Sequence, residues 1–189
     1  LKTHSYIQRE ENENPSRSME AINTTFNTLN QINLGSHALS FGGSYLKEEL
    51  EDFGNQLVIG GSKLTNLDRY SWALFAEDAW NIVEPFTVTA SLRYDKDEKF
   101  GDHFSPKVYG VWTLNDNRIV KGGVSTGYKT PALRATVAGW GQATGGGQSS
   151  GMIVGNPDLK PETSINYEAS INWDNNDNLD AGFTVFMPC

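Results

Sequence analysis

Residues 86–95 read FTVTASLRYD and residues 164–174 read SINYEASINWD. In the first stretch Phe86, Val88, Ala90, Leu92 and Tyr94 alternate with Thr87, Thr89, Ser91, Arg93 and Asp95. In the second, Ile165, Tyr167, Ala169, Ile171 and Trp173 alternate with Ser164, Asn166, Glu168, Ser170, Asn172 and Asp174. Successive side chains leave a strand on opposite faces, so each stretch predicts a strand with one apolar and one polar face. Working outward, weaker alternation marks 37–47, 70–80, 104–114, 118–128 and 180–187, while 2–9 and 17–33 read as strands with mixed faces. The chain thus holds about nine strands, most near the roughly 9–11 residues that a tilted strand needs to cross a bilayer.

Composition agrees with this all-β reading. The 189 residues include 19 Gly, 9 Phe, 7 Tyr and 5 Trp. Gly favours turns and aromatics favour strands. No window of a dozen residues keeps helical apolar spacing without Gly, Pro or Asn intruding. With 15 Lys+Arg against 23 Asp+Glu, the formal net charge is -8. That excludes a diffuse nucleic-acid binder, whose phosphate contacts need a basic surface. No run approaches the roughly 18–20 apolar residues of a membrane helix. The single cysteine, Cys189, excludes a disulfide scaffold and a Cys-based zinc site. No charged, apolar and cleavable leader pattern opens the sequence.

The connections are unequal in length. Residues 33–36, 82–85, 115–118 and 174–180 read as short turns, whereas 10–16, 48–69, 96–103 and 128–162 read as mostly longer loops. Short and long alternate, which places short turns at one end of an up-and-down sheet and long loops at the other. That is the organisation of an outer-membrane barrel. Tyr70, Trp72, Trp80, Tyr94, Phe104, Trp112, Tyr128 and Trp173 fall near the ends of the expected strands, as an interfacial aromatic girdle requires.

Catalytic motifs fail on inspection. Gly122 to Thr130 resembles a phosphate loop, but Tyr128 stands where the lysine must be and no helix follows. Residues 95–102 resemble a calcium loop, but Lys99 takes a ligand position and the glycine is displaced. Glu77 and Asp78 are adjacent and point to opposite faces, so they form no carboxylate pair. Asp102-His103 has no nucleophile motif beside it, and His103 reads as a polar residue at a loop end. The segment from Thr126 to Thr163 is too long for an ordinary turn. Its part from Gly139 to Gly151, rich in Gly, Ser and Gln, suits a flexible surface loop. Tyr128, Lys129, Arg134 and Trp140 fall in this segment, where cations beside aromatics suit an anionic aromatic ligand. They are the candidate ligand-binding residues.

Several pieces together resemble one family. They are Ala73-Leu74-Phe75-Ala76-Glu77-Asp78, Leu92-Arg93-Tyr94-Asp95, Phe104-Ser105-Pro106, Lys121-Gly122-Gly123, Gly127-Tyr128-Lys129-Thr130-Pro131 and residues 156–163, NPDLKPET. In order and spacing they resemble the barrel of TonB-dependent outer-membrane receptors, nearest to the ferric enterobactin and colicin I receptor group. The resemblance implies a 22-stranded transmembrane barrel with an N-terminal plug, of which residues 1–189 form about nine strands without the plug. It implies uptake of a ferric siderophore, of catecholate type, through extracellular loops. It implies energy from the TonB complex, contacted through a missing N-terminal part, and attachment of colicins or phages to the same loops. No reaction and no resident cofactor are implied, since iron arrives inside the siderophore. The location implied is the bacterial outer membrane, in contact with its lipid. Two rival readings are a small autonomous porin or adhesin barrel and a soluble β-rich carbohydrate-binding domain. In the barrel reading Val88, Leu92, Ile165 and Ile171 face lipid, and Arg93, Glu168 and Asn172 face the lumen.

Overall fold

A computed structural model describes the chain except residues 17, 147, 148 and 176, together with the side chains of 145, 146, 149 and 150. Its strands are β1 (Lys2–Asn14), β2 (Met19–Leu34), β3 (His37–Asp52), β4 (Val58–Ile59), β5 (Ser62–Lys63), β6 (Asn66–Val83) and β7 (Phe86–Asp97). They continue with β8 (Gly101–Asn115), β9 (Arg118–Lys129), β10 (Gly141–Gly146), β11 (Ser149–Val154), β12 (Glu162–Asp174) and β13 (Asp180–Pro188). Nine of them form one antiparallel sheet in the order β1-β2-β3-β6-β7-β8-β9-β12-β13. The hairpins β4-β5 and β10-β11 stand apart from it. A single 3-10 turn, Leu133–Thr136, lies in the long loop. No described helix is long and apolar enough to cross a membrane, which says nothing against crossing by strands.

The register confirms the two-faced reading. Phe41, Ala76, Leu92 and Pro106 lie directly opposite one another across β3, β6, β7 and β8. Directly opposed residues share a face. The same face carries Leu39, Ala90, Val108, Val124, Tyr167 and Met187 in the next row. Val88, Leu92, Ile165 and Ile171 all belong to it, and Leu92, Ile165 and Ile171 are 43–49% exposed. An apolar face left this open has no protein partner in the sheet and needs lipid. The opposite face carries Arg93, Glu168 and Asn172. Polar contacts run across it: the Lys107 ammonium lies 3.4 Å from Glu77, and the Tyr109 hydroxyl donates to Glu168 at 3.1 Å.

Aromatic rows bound the apolar band. Phe26, Tyr45 and Trp72 are paired in one row, with Tyr94 packed edge-on against Trp72 at 5.5 Å and Phe104 beside Tyr94 at 4.9 Å. Near the short turns lie Trp80, Phe86, Trp112 and Phe183. Eight residues separate Trp72 from Trp80, roughly 27 Å along the strand and about 20 Å across a bilayer after tilt. The outward face of β1 and β2 is the exception, because Thr3, Ser5, Thr28 and Asn30 occupy it. Their side chains satisfy one another, Thr3 donating to Asn30 at 2.8 Å and Ser5 to Thr28 at 3.0 Å.

The strands outrun their sequence boundaries, and this corrects the loop lengths. The short-turn connections are residues 35–36, 84–85, 116–117 and 175–179. At the other end, 10–16 shrinks to 15–18, 48–69 to 53–65 and 96–103 to 98–100, so only two of those four connections are long. Glu48 to Asp52, the first part of the expected loop 48–69, is strand, and His103 sits within β8. Of the girdle aromatics, Tyr128 and Trp173 stay next to last in β9 and β12 and Trp80, Tyr94, Phe104 and Trp112 lie three residues from a strand end, while Tyr70 and Trp72 now lie deeper inside β6. The reason is reach: the 18 residues of β6 span about 60 Å, well beyond a band some 25 Å tall. Beyond the lipid a strand meets water on both faces, and the alternating pattern that marks it in a sequence disappears.

Candidate functional site

The loop end of the sheet holds a polar core. Arg69 is 6% exposed. Its guanidinium donates to Glu48 at 2.6 and 3.1 Å and to the Pro131 carbonyl at 2.9 Å, and it lies 3.8 Å from Asp97. One side chain thus ties β3, β6 and β7 to the first residues of the long loop, 130–161. Asp97 spends its other capacity on the tight turn after β7, accepting from the Lys99 and Phe100 amides. The Lys99 ammonium donates to the Thr136 carbonyl of the long loop.

Asn55 is completely buried. Its amide nitrogen donates to the Leu64 and Gly139 carbonyls at 2.7 and 2.8 Å, and its oxygen accepts from the Leu57 and Gly141 amides at 3.1 and 2.9 Å. A primary amide offers two donors and one two-fold acceptor. All are used here to join loop 53–65 to loop 130–161. Beside it Trp140 Nε1 donates to Asp52 at 2.8 Å. Gly155 closes the base of the long loop, where a Cβ would come 2.0 Å from the Val137 carbonyl oxygen. Only glycine permits that approach. Within Gly139–Gly151, expected as a flexible surface loop, β10 and β11 pair from Gly141–Val154 to Gly146–Ser149, and residues 147 and 148 lie outside the described residues.

The four candidate residues fall in two places. Tyr128 and Lys129 end β9; Arg134 and Trp140 belong to the loop that folds back over the polar face. Arg134 is exposed, stacks its guanidinium 5.3 Å from the Trp140 ring centre and touches Met19. Trp140 itself is only 4% exposed, so it supports Arg134 from below and presents little surface of its own. Tyr128 stacks on His103 at 4.0 Å and 9° between planes. The stack is explained locally: the β8–β9 ladder ends at Lys107–Ser125 although both strands continue. Pro106, the next residue, has no amide to extend it. A cleft of about 280 Å³ follows, lined by Ser71, Asp95, Asp97, Tyr128, Lys129 and Thr130. Asp95 is paired with Arg93 and Asp97 lies against Arg69. Lys129 and Arg134 have no carboxylate partner among the described residues. Sequence reading missed Arg69, Asn55 and Asp52; their contiguity with charged or polar neighbours carried no distinguishing pattern. Among the described residues no group of His, Cys, Asp or Glu could hold a metal ion.

A two-faced antiparallel wall with aromatic rows, short turns at one end and interlocked loops at the other defines part of an outer-membrane β-barrel. The profile of the family described as TonB dependent receptor-like, beta-barrel matches residues 3–187, and the chain belongs to that family. Its place is the bacterial outer membrane. Over 181 residues it is 46% identical to the iron-regulated outer membrane virulence protein of Vibrio cholerae serotype O1, covering 96% of this chain and 27% of that protein. It is 32% identical over 138 residues to the ferrienterobactin receptor of Escherichia coli, covering 68% of this chain and 18% of that receptor. The crystal structure of the siderophore receptor PirA from Pseudomonas aeruginosa superposes with a TM-score of 0.87 at 24% identity, over 97% of this chain and 35% of that one. The chain spans about a quarter of the length of the relatives it matches.

Proposed function

We propose that this chain supplies nine neighbouring wall strands and part of the loop surface of a larger receptor. That receptor takes up a ferric catecholate siderophore with energy from the TonB complex. Nothing in the reading requires a reaction, and iron enters as cargo inside its ligand. The observation that carries the ligand class is the pair Lys129 and Arg134. Both cations are exposed and neither is neutralised by a carboxylate among the described residues; Lys129 ends β9, and Arg134 rides on the loop whose base is fixed by Arg69, Asn55 and Trp140. A ferric tris-catecholate is anionic and aromatic. Charge-assisted hydrogen bonds and stacking on Tyr128 suit it better than they suit a neutral ligand. The names of the relatives support this reading, among them the ferrienterobactin receptor and a Pseudomonas aeruginosa receptor crystallised with enterobactin.

The test is equilibrium binding to the full-length receptor. Ferric enterobactin is expected to bind far more tightly than a neutral ferric hydroxamate. Each of Lys129→Ala and Arg134→Ala should weaken it about tenfold, the worth of one charge-assisted hydrogen bond. Unchanged affinity in the double variant, or equal affinity for the two siderophore classes, would refute the assignment.

A further inference from the structure

On the outward face, between the two aromatic rows, the register places one acid among the described residues: Asp78, opposite Leu39 and Ala90. An ionised side chain in the lipid-facing band is costly and calls for a partner. Asp78 Oδ2 lies 2.7 Å from His37 Nδ1, while its Oδ1 is buried with no hydrogen-bond partner. An ionised Asp78 accepts from Nδ1–H, which leaves Nε2 as the ring nitrogen open to a second partner. The ring is stacked on Trp80, 5.3 Å between centres and 14° between planes. His37 follows immediately on the turn at 35–36, at the level of the lower aromatic row. This is the depth of lipid headgroups. Among the described residues the Asp78 carboxylate is met by one imidazole, at the membrane surface on the short-turn side.

Directly above this dyad, toward the bilayer centre, the same face is hollow. A groove of about 520 Å³ runs across β3, β6, β7 and β8. Ala76 and Ala90 form its low floor, and Leu39, Phe41, Leu92 and Val108 its sides. Small residues between large ones leave an open apolar channel. An acidic acceptor at headgroup depth leading into an apolar channel matches one molecule in both parts.

Resting on the barrel reading above, we propose that His37, Asp78 and this groove bind a phospholipid with a primary ammonium headgroup, from the leaflet on the short-turn side. The ammonium donates to His37 Nε2, whose other nitrogen is bonded to the Asp78 carboxylate, and lies against the Trp80 ring. One acyl chain fills the groove over Ala76 and Ala90. A quaternary ammonium has no N–H to give, and a glycerol headgroup has no charge to match, so the site selects against both.

The test reconstitutes the full-length receptor in vesicles of equal parts phosphatidylethanolamine, phosphatidylcholine and phosphatidylglycerol. The receptor is then extracted in mild detergent, and its retained lipids are weighed by native mass spectrometry. Phosphatidylethanolamine is expected to be enriched about tenfold over each of the others. His37→Phe and Asp78→Asn should lose the preference while still retaining lipid. Ala90→Phe, which fills the groove and leaves the dyad intact, should retain less lipid of any kind. Equal retention of the three lipids by a receptor that is folded in the vesicles would overturn the lipid site alone. So would an unchanged preference in His37→Phe and Asp78→Asn. A chain that does not enter the membrane at all would overturn the barrel reading with it.

Discussion

The two ends of this sheet are built on opposite terms. At the short-turn end four connections, none longer than residues 175–179, reverse the chain and bury almost nothing. At the loop end Asp52, Asn55, Leu67, Arg69, Asp97, Thr136 and Trp140 are buried together. Most of these are polar. Apolar surface facing lipid is forgiving, because one hydrocarbon contact replaces another. A buried polar cluster is not, since each group removed strands its partners in a place water does not reach. The wall therefore tolerates substitution that keeps it apolar, whereas the loop end depends on individual side chains.

That contrast is most sharply broken at Arg69. Replacing it with Leu leaves Asp97, with a side chain 4% exposed, and Glu48 without their cation. The expected cost is about 3–5 kcal/mol, confined to the loop end. Limited proteolysis of the full-length receptor should show cleavage within 130–161 while the strands stay protected; an uncut loop would mean that Arg69 does not hold it. On the wall, Leu92→Arg puts a charge near the middle of the apolar band and should cost about 2–4 kcal/mol. Arg93→Leu, one residue away on the other face, should change stability by about 0–1 kcal/mol, since its partner Asp95 is an exposed-type pair. Urea unfolding in vesicles measures both, and equal effects would show that the faces are wrongly assigned. Asn55→Ala removes four hydrogen bonds at once, two within loop 53–65 and two to loop 130–161. We expect about 1–3 kcal/mol, read as faster amide exchange at Leu57 and Gly141 with no change in the strands.

Much of the wall could be read from the sequence, because period-two alternation survives wherever lipid lies on one side and a polar lumen on the other. Residues 86–95 and 164–174 fell on the expected faces residue by residue. Glu48 to Asp52 did not read as strand, because it continues β3 beyond the lipid, with one face open and the other carrying Glu48 and Asp52 into the polar core. The candidate loop residues were legible as a group and not in their roles. Trp140 looks in sequence like an exposed aromatic, yet Asp52, 88 residues earlier, accepts a hydrogen bond from its indole N–H. Asn55 finds Gly139 at a separation of 84 residues and Arg69 finds Pro131 at 62. Contacts at such distances leave no local pattern.

The strand order has a kinetic meaning. Every sheet strand lies beside the sheet strand that precedes it in the chain, with no crossover. Each new strand can therefore add to an edge already present, and none waits for one made later, which keeps the search short. The longest step is that from β9 to β12, across residues 130–161. From a two-residue turn to that length is four doublings, about 2.4 kcal/mol of extra closure entropy. The hairpin β10-β11 and the turn at 133–136 shorten the effective span. A loop that orders itself first would thus hasten the joining of the strands on either side of it.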